Sequence, residues 1–278
     1  MQDLFKNNLY LSKEWADFMN SLVGNIEFIE HKNNKIYYNS KTNKVIGLHN
    51  YSNEEINKLN FNKIRVRSIV NDSNSKLNYQ VIPKNTYEII KNNYKKSFRK
   101  SLNHAKDNDL EIIKNPNKEE LYQIYYNSIK RLNSFHFSQE TFNKFLSQQF
   151  SRYFGINYKD NLIAGMIFWE NKDNVYSSIA FSNKNYWYLN PNNFRLDYLI
   201  KYACENSKNI HLGIGFEGSG YEKFKESIGT IKLKCISSPK EFGLNLASKL
   251  NGLPLSPVYK YLSEKHERRI IELLMPFT

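Results

Sequence analysis

Residues 152–182, RYFGINYKDNLIAGMIFWENKDNVYSSIAFS, contain three apolar segments separated by the polar turns KDN and ENKDN. Short runs of β-branched and aromatic residues between such turns predict three antiparallel strands. A helical pattern that starts at Pro191 follows, and then the apolar segment NIHLGIGF, a short helix ending near Gly229 and a last strand, TIKLKCISS. Antiparallel strands that lead into a strand–helix–strand crossover predict an α/β fold, in which a mixed sheet is flanked by helices.

The chain before residue 152 is more fragmented. Residues 86–110 have helical spacing throughout and predict one long helix, which is followed by a strand at 110–115 and two helices at 117–132 and 138–150. The N-terminal part predicts one helix and a series of short strands: 14–24 (helix), and 25–31, 35–40, 44–50, 62–70 and 79–83 (strands). We therefore predict a smaller N-terminal α/β subdomain at 1–85, a main domain at 86–245 and a helical tail at 246–278.

Charge and composition narrow the class of protein. The 278 residues carry a net charge of +13, which fits an anionic partner such as RNA, a nucleotide or a membrane surface. The excess of Lys over Arg, together with abundant Asn, Ile and Tyr, is equally typical of AT-rich codon usage, and both interpretations stay open. No apolar run reaches the roughly 18 residues of a membrane span. The N-terminus has no signal-peptide pattern, so we expect a cytoplasmic protein without a transmembrane segment. Two cysteines, without zinc-site spacing, predict neither a disulfide framework nor a metal site.

The most specific motif is LGIGFEGSGYEKFKESIG, residues 212–229. An apolar strand ends in Leu-Gly, a polar loop follows, and then comes Phe-Lys-x-x-Ile-Gly. This arrangement resembles the FemAB-like branch of the GNAT superfamily of N-acyltransferases, a branch that includes peptidoglycan-bridge aminoacyltransferases and a group of acetyltransferases. His211 stands where that branch usually has an acid before Leu-Gly.

Two further segments resemble the same superfamily. In FRKSLNHAKDNDLEI, Arg99, Leu102 and Ala105 match a basic helix that precedes a strand. In NLIAGMIF, Ala164 and Gly165 match the second strand of a hairpin. The resemblance covers roughly residues 86–240. It implies a GNAT-like domain preceded by a partial GNAT-like subdomain, and an N-acyltransferase activity.

The resemblance also implies catalytic residues. Lys225 of the Phe-Lys motif would face the donor and neutralise a phosphate or the developing oxyanion, whereas Lys223 should point elsewhere. Glu217 follows the apolar strand, and a partly buried carboxylate there would be a candidate general base. His211 is a further candidate, since the unperturbed pKa of a histidine side chain suits proton transfer, although a histidine at this place is often structural. Tyr221 is a candidate acid or hydrogen-bond donor.

The donor site departs from the usual GNAT pattern. A Gly-rich loop normally cradles the CoA pyrophosphate at a helix N-terminus. This chain has YLNPNNFRLDYL at that place, so Asn192, Asn193 and Arg195, with Arg99, are the predicted donor ligands. Gly213 and Gly218 would let the backbone approach the donor closely. The donor stays open between an acyl-CoA and an aminoacyl-tRNA, as co-substrate rather than bound cofactor.

The acceptor site is predicted between the first two motifs. SIKRLNSFHFSQETF places Arg131, Phe135 and His136 where acceptor-binding helices lie in such folds, and Tyr176 is a further candidate. The expected acceptor is an amine of a sugar, a peptide or a cell-envelope precursor, with no role for DNA. A competing hypothesis is a non-catalytic, degenerate GNAT-fold module that binds RNA or another anionic polymer. A thiol-based mechanism through Cys204 or Cys235 has little support. The oligomeric state is not predicted.

Overall fold

The structure is a computed structural model that describes residues 2–31, 34–69, 75–132 and 136–238. The chain forms two compact units. Of the described residues, the first unit comprises those within 2–79, Ile214–Glu217 and 232–238, and the second comprises those within Gln80–Gly213 and Gly218–Ile231. The predicted boundaries at 85 and 245 stay predictions, and the predicted helical tail at 246–278 lies outside the described residues.

Eight helices and eleven strands are described, besides three short 3-10 segments. The helices are α1 (Lys13–Val23), α2 (Asn53–Phe61), α3 (Tyr87–Asn92), α4 (Lys96–Lys106), α5 (Lys118–Arg131), α6 (Gln139–Leu146), α7 (Pro191–Glu205) and α8 (Gly220–Glu226). The strands are β1 (Ile26–His31), β2 (Asn34–Asn39), β3 (Lys44–Val45), β4 (Val66–Ile69), β5 (Leu77–Ile82), β6 (Glu111–Lys114), β7 (Ser151–Tyr158), β8 (Asn161–Glu170), β9 (Asn174–Ser182), β10 (Asn209–Phe216) and β11 (Ile231–Ser238). No helix in the described ranges is long and apolar enough to cross a bilayer.

The sheet of the second unit confirms the predicted mixed α/β fold. Its strands follow the order β10-β9-β8-β7-β6, and the three strands predicted at 152–182 form the antiparallel run β7-β8-β9. Strand β10 lies parallel to β9 after the crossover through α7. Neighbouring residues of a strand point to opposite faces. Accordingly, Phe168 of β8 packs on Tyr202 of α7, whereas Trp169 stacks on Phe145 of α6.

The first unit contains a helix that the sequence analysis missed. The strands β1, β2 and β3 form a small antiparallel sheet, and β3 is much shorter than the predicted strand at 44–50. Helix α2 follows, and its start is fixed by a capping box: the Ser52 hydroxyl accepts from the Glu55 N–H, and the Glu55 carboxylate accepts from the Ser52 N–H. Ser-x-x-Glu is a sequence signal for a helix start, and it was available at residue 52.

The helix predicted at 86–110 is in fact two helices, α3 and α4. The break lies at Asn93–Lys95, where the Lys95 N–H donates to the Ser227 carbonyl at 2.7 Å. Gly229 lies against the same break with φ +77°, and a Cβ there would meet the Asn93 Cβ at 2.6 Å. A distant part of the chain therefore interrupts a segment whose local pattern is helical throughout.

This packing explains the glycine that closes the Phe-Lys-x-x-Ile-Gly motif. Gly229→Ala is expected to lower the free energy of unfolding by about 2 kcal/mol or more, because the left-handed backbone and the clash with Asn93 both oppose a side chain. Urea unfolding measures the change. Gly220→Ala is the matched control, since nothing lies within 4 Å of its Cβ position and its φ is not positive. Equal stability of the two variants would contradict this account.

Candidate functional site

Strands β9 and β10 pair only over a short distance. Their parallel ladder comprises Asn209↔Asn174, Ile210↔Val175 and His211↔Tyr176, whereas β9 continues to Ser182. Backbone polar groups on the β10-facing side of β9 beyond Tyr176 therefore have no strand partner from β10. Such groups need other hydrogen-bond partners, and a ligand is one kind of partner.

Two cationic side chains reach the separating strands. Arg195 of α7 donates to the Phe181 carbonyl of β9 at 3.1 Å. Lys225 of α8 donates to the Gly213 carbonyl of β10 at 3.3 Å. Each strand thus has one positive charge at its edge, and the two charges come from the helices that precede and follow β10.

Lys225 is buried, whereas Lys223 on the same helix is exposed, so the two side chains point in different directions, as their spacing predicts. The Lys225 Nζ lies 3.8 Å from the centroid of the Tyr221 ring. Burial lowers the pKa of Lys225 to about 7, and the Glu222 carboxylate opposes this shift. An amine with a pKa near 7 exchanges a proton readily at physiological pH.

Tyr221 connects the two cations. The residue is 56% exposed, but its hydroxyl end lies among protein groups, where burial raises the pKa of the phenol and the charge of Arg195 opposes the rise. Burial of the Arg195 guanidinium lowers its pKa to about 10, so this side chain is still a cation at neutral pH. Of the predicted catalytic and donor-binding residues, the structure thus brings Lys225, Tyr221, Arg195 and Gly213 together.

The acid beside Lys225 is Glu222, which the sequence analysis missed. Glu222 is buried one turn before Lys225, and its Oε2 accepts from the Gly218 N–H at 2.6 Å. Gly218 has φ +81°, so the loop turns here in a conformation that favours glycine. The spacing of Glu222 and Lys225, three residues apart on a short helix, was the available signal.

Glu217 differs from its expected environment. Its side chain is 57% exposed and forms an ion pair with Lys234 at 3.6 Å within the first unit. The sequence predicts a partly buried carboxylate at this position. Because β10 ends at Phe216, Glu217 follows the strand as predicted, but its side chain faces solvent.

His211 and Tyr176 are neighbours in the last residue pair of the β9–β10 ladder. Both are buried, and their rings stack at 4.7 Å with an interplanar angle of 19°. The His211 Nε2 lies 3.1 Å from the Asn174 Oδ1, in a position to donate a hydrogen bond. These contacts fit a structural role at the point where the strands separate, and the predicted roles of both residues stay predictions.

A β-bulge in β9 adds a feature that the sequence did not indicate. Ile167 of β8 pairs with Ile179 and Phe168 pairs with Ser177, so Ser178 is the extra residue. The Ser178 Oγ is buried and has no hydrogen-bond partner among the described residues. Bulges release backbone groups from the ladder and occur often beside active sites.

The remaining predicted donor ligands lie on two helices. Asn192 and Asn193 are in the first turn of α7, and Arg99 is on the exposed face of α4. The two helices meet where the His104 Nδ1 lies 3.1 Å from the Asn190 Nδ2. The structure thus places a basic helix face beside the start of α7.

Of the predicted acceptor residues other than Tyr176, two are described and one is not. The Arg131 guanidinium stacks over the Trp187 ring at 4.5 Å from its centroid. His136 makes an edge-to-face contact with Tyr126 at 4.8 Å. Phe135 lies outside the described residues. The described ranges contain no group of three or more His, Cys, Asp or Glu side chains arranged to hold a metal ion.

Comparisons with known proteins identify the fold. No family model and no curated protein matches the sequence. One similar solved structure is FemX, with a TM-score of 0.62, 9% sequence identity and coverage of 88% of this chain and 94% of that chain. A second is L-PGS from Bacillus licheniformis, with a TM-score of 0.56, 12% identity and coverage of 87% of this chain and 98% of that chain. A third is the C-terminal domain of a candidate lysylphosphatidylglycerol synthetase from Agrobacterium fabrum, with a TM-score of 0.55, 9% identity and coverage of 91% of this chain and 96% of that chain. Nearly the whole length of each is matched, at sequence identities that show the fold alone. The chain therefore has a GNAT/FemAB-like fold.

Proposed function

We propose that the chain transfers an acyl or aminoacyl group from an activated donor, an acyl-CoA or an aminoacyl-tRNA, to an amine of a sugar, a peptide or a cell-envelope precursor. The observation that carries the proposal is the pair of cations at the separating strands, Arg195 and Lys225. The FemAB-like fold supports it, and the name of the Agrobacterium fabrum protein, which describes a lysyl group joined to phosphatidylglycerol, supports the transfer of an aminoacyl group without indicating an amine acceptor.

The reaction needs negative charge to be stabilised and a proton to be moved. The acceptor nitrogen attacks the donor carbonyl carbon, so a C–N bond forms while the C–S bond of a thioester, or the C–O bond of an aminoacyl ester, breaks. The carbonyl oxygen becomes an oxyanion on the way. The nitrogen loses a proton, and the leaving sulfur or oxygen gains one.

Lys225 suits two of these needs. Its ammonium form neutralises the oxyanion, and its lowered pKa lets it give a proton to the leaving group. Arg195 supplies a second, permanent charge for a phosphate or for the oxyanion. The N–H groups released at the Ser178 bulge are further candidate donors to the oxyanion.

Thermal unfolding in the presence of candidate donors tests the proposal first. Acetyl-CoA and longer acyl-CoAs are compared with free CoA, and a pool of charged tRNA is compared with the same tRNA uncharged. A donor at 100 times its dissociation constant is expected to stabilise the folded chain by about 2.7 kcal/mol. The donor that stabilises is then supplied with isotopic label and an amine acceptor, and the labelled amide is measured.

The outcomes separate the hypotheses. Stabilisation by CoA compounds together with labelled product assigns a thioester donor, and the same pair of results with charged tRNA assigns an aminoacyl ester. No labelled product with any donor, combined with RNA binding that weakens steeply with salt, would reject the transferase and support the non-catalytic module.

A further inference from the structure

Three exposed hydrophobic residues stand at or next to a contact between two elements of the second unit, the contact of Arg131 with Trp187. Leu132 follows α5 and is 56% exposed, and Trp187 and Tyr188, in the 3-10 segment Lys184–Leu189, are 40% and 63% exposed. The stack of Arg131 on Trp187 joins the two elements. Exposed clusters of large apolar side chains on folded proteins mark interaction surfaces.

The charged residues in the two stretches of chain that supply this cluster are all positive. Lys130, Arg131 and Lys184 are exposed beside it. No Asp or Glu occurs in residues 121–139 or in residues 174–196, the two stretches that supply the cluster. We call the six residues Lys130, Arg131, Leu132, Lys184, Trp187 and Tyr188 the aromatic–basic patch.

A second positive surface adjoins the patch. The Asn190 Nδ2 lies 3.5 Å from the Tyr188 carbonyl and 3.1 Å from His104 at the end of α4. Helix α4 has exposed Lys96, Arg99 and Lys100 and no acidic residue. Two exposed acids, Asp107 and Asp109, follow α4, but the cations of the helix outnumber them, so α4 adds net positive charge near the patch.

The orientation of Trp187 decides what kind of partner fits. Its only polar atom, Nε1, donates to the Ser182 hydroxyl at 2.9 Å, so the indole has no further hydrogen to donate to a partner. One face of the ring is covered by the Arg131 guanidinium. Single-stranded nucleic acid binds by stacking bases on open aromatic faces, and an exposed leucine adds nothing to such stacking. A lipid surface accommodates leucine, tryptophan and tyrosine in its interface and attracts the lysines and arginines around them.

We propose that the aromatic–basic patch docks the protein on an anionic lipid surface, with Leu132, Trp187 and Tyr188 inserted at the level of the headgroups. Lys130, Arg131 and Lys184 face the lipid charges, and α4 adds long-range attraction. The inference concerns where the protein works and does not depend on the acyl-transfer chemistry. A lipid-docked transferase would meet acceptors that are held at the membrane.

Flotation of the full-length protein with vesicles tests the proposal. Vesicles of phosphatidylcholine alone are compared with vesicles that also contain phosphatidylglycerol, at low and high salt. We expect binding to the anionic vesicles only, weakened by salt. The double variant Leu132→Ser/Tyr188→Ser and the charge variant Lys130→Glu/Lys184→Glu should each bind at least about tenfold more weakly. Ile89→Ser, at an exposed apolar residue of α3, and Lys223→Glu are matched controls that should bind as the wild type does.

Tryptophan fluorescence provides a direct second readout. The chain has three tryptophans, of which Trp15 and Trp169 are buried, so a change on vesicle addition reports on Trp187. We expect a blue shift of the emission and quenching by lipids with brominated acyl chains. Vesicle binding without either change, or with full affinity in both patch variants, would overturn the proposal. Binding of single-stranded RNA without binding of vesicles would also overturn the proposal. The same holds if the wild type is a dimer and the patch variants are monomers, because the patch would then be an interface between two copies of the chain.

Discussion

Lys225→Met is expected to reduce acyl transfer severely and, at the same time, to stabilise the fold. Removing one donor to an oxyanion typically lowers kcat about 100- to 1000-fold, so a loss of this size is expected. Lys223→Met is the matched control, since that lysine is exposed on the same helix and should keep its activity. Labelled-product assays of the two variants make the comparison.

The stability change should depend on pH in a defined direction. The pKa of Lys225 is lowered in the folded chain to about 7, below its ordinary value of 10.5, so between these values the unfolded chain binds more protons. The free energy of unfolding of the wild type therefore rises with pH across that window, and the cost of burying the ammonium is greatest below it. Lys225→Met should be more stable than the wild type by roughly 2 kcal/mol near pH 6, with a smaller difference near pH 10.

Urea unfolding at the two pH values measures this effect. Wild-type activity should also fall as the pH rises above about 7, because the ammonium form is lost. If the variant is inactive but its stability relative to the wild type does not change with pH, the buried-ammonium account is wrong. If it is fully active, Lys225 has no part in the reaction.

Glu170→Leu is expected to produce a large loss of stability in the second unit. Glu170 is buried at the end of β8 and holds three partners: Arg152 of β7 at 2.9 Å, the Tyr202 hydroxyl of α7 at 3.0 Å, and Lys208, which precedes β10. Burial and this hydrogen bond raise the pKa of Tyr202 to about 12. Loss of the carboxylate leaves Lys208 and Arg152 without their shared anion, at a cost of about 3–5 kcal/mol.

The control uses a second Glu–Lys pair of the same unit. Glu140 and Lys144 are 2.8 Å apart on the surface of α6, and the Glu140 side chain is largely exposed. Glu140→Leu should leave the urea midpoint almost unchanged, since exposed ion pairs add little. Similar losses in both variants would show that the Glu170 network is no more stabilising than a surface pair.

Features that are determined by residues close together in the sequence can be predicted from it, whereas features that are determined by distant contacts cannot. The run β7-β8-β9 and the helix after Pro191 follow from periodicity and turn residues, and both are confirmed. The break between α3 and α4 depends on Ser227 and Gly229, more than 130 residues away, and the local pattern carries no trace of it.

The residues of the candidate site also include some that the sequence indicates and others that only long-range contacts place there. The Phe-Lys motif indicates Lys225, and Glu217 is the predicted candidate base, whereas the carboxylate that the structure buries beside Lys225 is Glu222. A carboxylate is hydrophilic in any sequence pattern, so burial of Glu222 or Glu170 appears only once the long-range contacts are known. The bulge at Ser178 and the stack of Arg131 on Trp187 likewise depend on neighbours from other elements.

The contacts that close the second unit also set the timing of its biosynthesis. The Gln80 side chain of β5 donates to the Thr230 hydroxyl at 3.1 Å, and the Lys95 N–H donates to the Ser227 carbonyl. These hydrogen bonds therefore join residues that are synthesised early to residues that are synthesised some 130 to 150 positions later. A growing polypeptide emerges from the ribosome N-terminus first. Until residue 230 has emerged, β5 and the α3–α4 junction lack these partners, and Phe98 on the apolar face of α4 lacks its ring contact with Phe224. The nascent chain is therefore partly folded during a long part of its synthesis. In that state it exposes more apolar surface to a chaperone than the folded protein does.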